Sequence, residues 1–256
     1  MRKTLPQTIL AAFCAILLAA PLEGGGVMLI GMRNAMLAGG GLSAKSYVQD
    51  GLVAMWDGIE NAGFGTHDSS AATWKDLIGT LDLTPNRSAH WESNGLASSS
   101  HIGYLANRNA TINTIGTIEV AFDMSGETAN NAGRCLVKFS NSRALMGNYL
   151  FGLRSRGEPS IMMDSNINKL KSKFGGAVVY GTTAADDILY FNGEDQQTTS
   201  SGGNWNLNSM TYVGGDGGTS TSVIGVCHCI RVYSRALTAA EIAHNYAVDK
   251  ARFNLP

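Results

Sequence analysis

The chain has 256 residues, enough to bury a substantial core, with 31 glycines and only 15% charged residues. Its 19 basic and 20 acidic side chains leave a formal net charge of −1. Without long runs of like charge, that balance excludes the electrostatic footprint of a nucleic-acid or anionic-membrane binder.

At the start, Arg2 and Lys3 precede the unbroken apolar run ILAAFCAILLAA, residues 9–20, which Pro21 ends. A basic start, a short apolar centre and small residues at its end describe a secretory signal peptide. The run falls short of the roughly 20 residues that a comfortable membrane span needs. A lipoprotein signal would place a small residue before its cysteine, but Phe13 precedes Cys14. The stretch after Gly26 has neither the early Glu nor the long apolar helix of a pilin leader. Residues 1–22 therefore read as a signal peptide, or as a retained N-terminal anchor because VMLIGM adds a second apolar patch. The expectation is a secreted or cell-surface protein with no membrane span in its mature domain. Residues 23–46 carry glycine triplets near both ends and read as a leader or linker.

From Tyr47 onward, short strand signals recur with turn residues between them. GLVAMWDG (51–58) is an apolar run stopped by Asp-Gly. TIEVAFDMS (117–125), CLVKFS (135–140), YLFGLRS (149–155) and PSIMMDS (159–165) follow, then GAVVYG (176–181). ILYFNGEDQ (188–196) contains Asn192-Gly193, a strong type I′ hairpin turn. SMTYVGG (209–215) leads to a last strand over Val226–Ser234. There Val226, His228, Ile230 and Val232 point one way, and Cys227, Cys229, Arg231 and Tyr233 the other.

The rhythm then changes to that of a helix. Thr238 and Glu241 form a capping box, with Leu237 and Ile242 placed as a hydrophobic staple. Ile242, Tyr246 and Phe253 share one helical face, and the natural partner for that face is the sheet the last strand has just left. Many short strands and no internal repeat predict an all-β fold: a two-sheet antiparallel sandwich over 47–256, closed by a short C-terminal helix. Of the four cysteines, Cys14 would leave with the signal. Cys227 and Cys229 sit too far apart along a strand for an easy mutual disulfide. A bridge from Cys135 to one of them stays open, beside the plainer reading of thiols on a packed strand face.

In this order, ILYFNGEDQ, MTYVGGDGG and IRVYSRALTAAEIAHNY resemble the concanavalin A-like, laminin-G-type lectin/glucanase superfamily. YVQDGLVAMWDGIENAG with TWKDLIG resembles the first strand and following loop of its bacterial members. The resemblance covers about 47–256 and implies a jelly-roll of two antiparallel sheets. One departure stands near the closing motif, where the family often has an acidic residue and this chain has His228.

That superfamily contains binding modules and glycoside hydrolases, so chemistry has to be sought directly. Retaining glycosidases need two carboxyl groups about 5–5.5 Å apart, and the glucanase branch takes them from a strand reading Glu-x-Asp-x-x-Glu. In IEVAFDMSGE, Glu119 and Asp123 share a face but Ala121 fills the middle position. Their backbones lie about 13 Å apart along a strand. No nucleophile elbow or zinc-protease motif occurs, and His67, His90, His101, His228 and His244 are scattered. The sequence thus reads as non-enzymatic, with no catalytic residues to name.

Binding is the surviving class. Sugar recognition commonly uses an aromatic ring with a few placed polar groups. Trp56, Trp74, Trp91 and Trp205 each stand beside polar neighbours. Trp56 ends an apolar run and also reads as core, while Trp74 reads as the anchor of its loop. Trp91 and Trp205 lie in Asn- and Ser-rich surroundings and read as the more exposed pair. The resemblance further implies calcium, a hard cation wanting six to eight oxygens, for which Asp57, Glu60, Asn61 and Asp68 are the candidate ligands. The expected function is an exported, non-catalytic lectin-like module for a glycan or surface partner. The rival is a structural or virion-associated protein that uses its sandwich for assembly, and a glycoside hydrolase comes third.

Overall fold

A computed structural model of the chain describes residues 41–85, 89–98, 104–105, 112, 115–127, 134–139, 143–147, 152–155, 172–181, 187–196, 210–213 and 223–256. Leu42–Pro256 form one compact unit. It begins ahead of the Tyr47 boundary read from the sequence, because Ser43 caps a short 3-10 turn over Ala44–Ser46. The amide of Ala44 is then tied to Glu60 Oε1 at 2.6 Å.

The strands are β1 (Leu52–Asp57), β2 (Ala89–Glu92), β3 (Gly95–Ser98), β4 (Tyr104–Leu105), β5 (Thr117–Asp123), β6 (Arg134–Phe139) and β7 (Arg143–Gly147). They continue with β8 (Gly152–Ser155), β9 (Lys173–Val179), β10 (Ile188–Phe191), β11 (Glu194–Asp195), β12 (Met210–Val213) and β13 (Gly225–Tyr233). One helix, α1 (Ala239–Phe253), follows. The larger sheet runs β11-β10-β9-β5-β13-β3-β2, with β1 joined to it through β13. The smaller runs β4-β12-β6-β7-β8. Neighbouring strands pair antiparallel in both. The fold is therefore all-β, as the sequence predicts. The expected strand over 159–165 lies outside the described residues.

Period-two alternation builds the core. Ile118, Val120 and Phe122 of β5 meet Phe174, Ile230 and Val232 from the neighbouring strands, and Leu136, Val137 and Val213 from the smaller sheet, in one buried cluster. The alternate residues of β5 are buried as well, because the opposite face of the larger sheet carries α1. The polar residues on that covered face are paired there: Thr117 with the Arg235 carbonyl and the Leu237 amide, and Glu119 with Arg231.

On one side β13 pairs with β5 along most of its length. On the other, β3 and β1 take turns end to end along it. At their junction a Cβ on Gly58 would lie 2.3 Å from the Gly95 backbone, so the close approach needs glycine. The outer edge of β1 is closed by the loop carrying TWKDLIG. The Asp76 carboxylate there accepts from the amides of Met55, Ile78 and Leu81 at 3.0–3.1 Å.

The alternation expected along β13 is interrupted. Its register slips between Cys227 and Cys229, which face Phe122 and Ala121 in turn, and a bulge of this kind switches the faces. Cys227 therefore joins Ile230 and Val232 in the core. His228 turns to the helix side instead, its ring stacked on Phe253 at 5.0 Å. Cys227 and Cys229 thus do not share a face, and they and Cys135 are buried thiols not joined in a disulfide.

The helix starts as its sequence dictates. Thr238 accepts from the Glu241 amide at 3.3 Å, and Glu241 accepts from the Thr238 amide at 2.8 Å. Hydrogen bonds from Arg235, then those from Thr238, hold the Glu241 carboxyl down to about 2. Ile242, Asn245, Val248, Asp249 and Phe253 are buried, and Asn254 closes the helix in the left-handed region at φ 54°.

Candidate functional site

Behind α1 lies a buried ion network that fixes the helix on the sheet. Arg231 of β13 donates from Nε to Glu119 of β5 at 2.8 Å, and from both terminal nitrogens to Asp249 of α1 at 2.7 and 2.6 Å. The Tyr47 ring covers its guanidinium at 4.0 Å, and the Tyr47 hydroxyl donates to Asp249 at 2.7 Å. Asn245 donates to Glu119 at 2.7 Å and to the Tyr233 hydroxyl at 2.9 Å. Burial pushes the Glu119 carboxyl above its usual range, against the pull of Arg231. A second cation, Arg252, bridges Asp57 and Glu60. Each charge of this network thus has a charged partner and further hydrogen bonds, the condition under which such groups can be buried.

On the outer flank of the same helix is an open groove of about 480 Å³. The β10–β11 hairpin forms one wall with Asn192, Glu194 and Gln196, and the other holds Tyr246, Lys250 and Pro256. Asn192 and Gly193 turn the hairpin at φ 52° and 80°, the paired positive angles of a type I′ turn. The Tyr246 ring rests on bare backbone: a Cβ on Gly175 would meet it at 2.8 Å, and one on Gly193 at 2.9 Å. Its hydroxyl donates to the backbone oxygen of Pro256 at 2.6 Å. Burial raises the phenol pKa, and Asp249 and Glu194 add to the rise.

The polar groups of the groove are of mixed kind. Asn192 Oδ1 accepts from the Gly175 amide at 2.9 Å, leaving the side-chain nitrogen uncommitted. Gln196 donates to the Glu194 carbonyl at 2.8 Å, leaving its own side-chain oxygen uncommitted. Glu194 and Lys250 are exposed. These four groups line the same groove as the Tyr246 ring and offer it two donors and two acceptors.

The tryptophans are distributed differently from the reading of them as ligand platforms. Trp56 is fully buried, its indole donating to the Leu81 carbonyl at 2.9 Å. Trp74 is 1% exposed and donates to the Asp57 carbonyl at 2.9 Å. Neither ring has a face open to a ligand, because both are core side chains whose N–H groups find a backbone partner, as buried indoles do. Trp91, on edge strand β2, is half-buried, meets Trp74 edge-on at 5.5 Å and donates to the Ala71 carbonyl at 2.8 Å. Trp205 lies outside the described residues.

The residues expected to hold calcium do not fit a divalent cation. The guanidinium of Arg252 already occupies the space between Asp57 and Glu60. Their remaining oxygen valences go to the amides of Ile59, Glu60, Ala44 and Gly65. Asn61 pairs with the backbone of Asp68, whose carboxylate takes Ser70. Among the described residues no cluster of His, Cys, Asp and Glu is placed to hold a metal ion.

Of Glu119 and Asp123, the nearest approach to a glycosidase pair, Glu119 is sealed beneath α1 at 3% exposure. Asp123 accepts from Ser125 at the strand end. Tyr246, Glu194, Gln196 and Lys250 were not legible as a group. The glycines at 175 and 193 that seat the ring become neighbours only once β9 and β10 pair. The signal available was the glycine at both positions opposite a helix bearing one large aromatic.

A laminin-G-type family model described as the concanavalin A-like lectin/glucanases superfamily matches residues 103–243. That is more than half of the chain, which belongs to this superfamily. Among solved structures, Trypanosoma rangeli sialidase is similar at 15% identity and a TM-score of 0.56, over 87% of this chain and 38% of that one. The same enzyme bound to 2,3-difluoro-KDN is similar at 17% identity and a TM-score of 0.56, over 78% of this chain and 33% of that one. The chain spans about a third of the length of these sialidase chains, and at such identities the likeness is one of fold. No curated protein sequence matches the chain.

Proposed function

We propose that the chain is an exported, non-catalytic lectin-like module that binds a glycan. One contrast carries this reading. Glu119, in the stretch that comes nearest to the glucanase carboxylate motif, is locked under α1 by Arg231 and Asn245. The open groove beside that helix instead offers an aromatic ring and uncommitted hydrogen-bonding groups. A buried carboxylate without solvent or substrate access cannot flank a glycosidic bond, whereas a ring beside mixed donors and acceptors suits a polyhydroxylated ligand. Export is supported by Arg2, Lys3 and the apolar run 9–20. Among the described residues no helix is long and apolar enough to cross a membrane.

The test is a glycan array probed with the full chain, run beside a reducing-sugar assay on β-glucans. Retention of one or more glycans with no sugar released is expected. Released sugar would make the protein a hydrolase, and an empty array would point to a structural role in assembly.

A further inference from the structure

We infer that the groove between the β10–β11 hairpin and the outer flank of α1 is a binding site for a neutral sugar ring, stacked on Tyr246 and held through its hydroxyls by Glu194, Lys250, Asn192 and Gln196. The inference rests on the lectin-like reading above and gives it a place and a ligand class.

The aromatic surface is fixed before any ligand arrives. Tyr246 is held from below by the backbone of Gly175 and Gly193, where no side chain could intervene, and at its tip by the backbone oxygen of Pro256. Binding to such a ring immobilises little that was free, which lowers the entropic cost of association. Asn192 is fixed in the same way, one side-chain atom being used by Gly175.

The chemistry of the walls selects the ligand class. A hydroxyl donates one hydrogen bond and accepts others. A ring bearing several hydroxyls can therefore satisfy the Glu194 carboxylate and Gln196 oxygen as donor, and the Lys250 ammonium and Asn192 nitrogen as acceptor. Glu194 and Lys250 carry opposite charges, so a ligand of either sign gains one partner and meets one like charge, whereas a neutral polyhydroxylated ring pairs with both. A purely apolar ligand would leave the Asn192 nitrogen and the Gln196 oxygen covered without a partner, each at a desolvation cost. The groove volume of about 480 Å³ lies in the roughly 300–1,000 Å³ range of small-ligand sites. Trp91 offers no comparable arrangement, because its indole N–H is committed to the Ala71 carbonyl and its ring to Trp74.

The experiment is a saturation-transfer NMR titration of the full chain with lactose, cellobiose and mannobiose at millimolar concentration, and with glucuronic acid as the charged comparison. At least one neutral disaccharide should bind, and Tyr246→Ala should abolish that binding. Because Tyr246 also packs on the sheet, Glu194→Ala and Lys250→Ala provide the second line, both being exposed side chains with no bond that supports the fold. Each should weaken binding about tenfold, the loss of one hydrogen bond to a charged group, with an unchanged circular dichroism spectrum. Undiminished binding by both exposed-site variants would remove the site from this groove and leave the lectin-like reading standing. Preference for glucuronic acid would overturn the neutral ligand class. Failure of the wild-type chain to bind any neutral sugar would overturn that reading and this inference together.

Discussion

Arg231 is 1% exposed, a position a guanidinium occupies only when its charge is answered on every side. Removing one answering group is costly because the charge stays behind. Asp249→Ala should therefore destabilise the fold by about 3–5 kcal/mol, read as a lowered denaturant midpoint. A midpoint equal to wild type would mean that water reaches the cluster. His228 makes a second prediction. Its Nδ1 donates to the Asn94 carbonyl at 2.9 Å, and Nε2 is buried with no partner among the described residues. Burial holds its pKa below the ordinary imidazole value, against Asn94, Asp123 and Asp249 and with the help of Lys173. The unfolded chain then binds a proton that the folded chain refuses. The stability contributed by the neutral ring is complete above about pH 6.5 and is lost as pH falls below it. Denaturation midpoints should drop from pH 7 to 5, and the drop should shrink in His228→Gln; an equal drop in both would acquit His228. At this scale the sequence was least legible. Trp56 and Trp74 read as core or ligand platform with equal residue chemistry, and only their neighbours settle the matter.

At the level of elements, α1 is where local chemistry and tertiary demand agree. The Thr238–Glu241 box forms as its spacing dictates, and Ile242 is 2% exposed against the sheet. Thr238→Ala should cost about 0.5–2 kcal/mol, and Ile242→Ala about 2–5 kcal/mol. Unchanged midpoints in both variants would show that the helix adds nothing by docking. The same locality made the helix and the Asn192–Gly193 hairpin readable in advance, since caps and type I′ turns are written in adjacent residues. The β2–β3 hairpin was not readable, because four-residue strands such as AHWE carry too few alternations to register. The bulge in β13 was hidden for another reason. Register is a property of the pair of strands, and a one-residue slip opposite Phe122 and Ala121 moves His228 to the helix side without any mark in its own sequence.

For the whole molecule, the closing segment carried the family from sequence alone, and the sheets bear out the sandwich it implied. The groove did not announce itself, because its walls come from the β10–β11 hairpin and from α1 and meet only in the folded chain. The architecture puts the one conspicuous carboxylate of β5 to structural use and leaves an aromatic shelf with polar walls on the outside. The most direct test of that division follows the anomeric proton signals of a bound neutral oligosaccharide, in the presence of the full chain, over hours. Saturable binding with the reducing-end signals constant is expected, since among the described residues Glu194 is the sole carboxylate side chain lining the groove and glycosidases need a pair. Growth of new reducing-end signals, abolished when the protein is denatured, would contradict it.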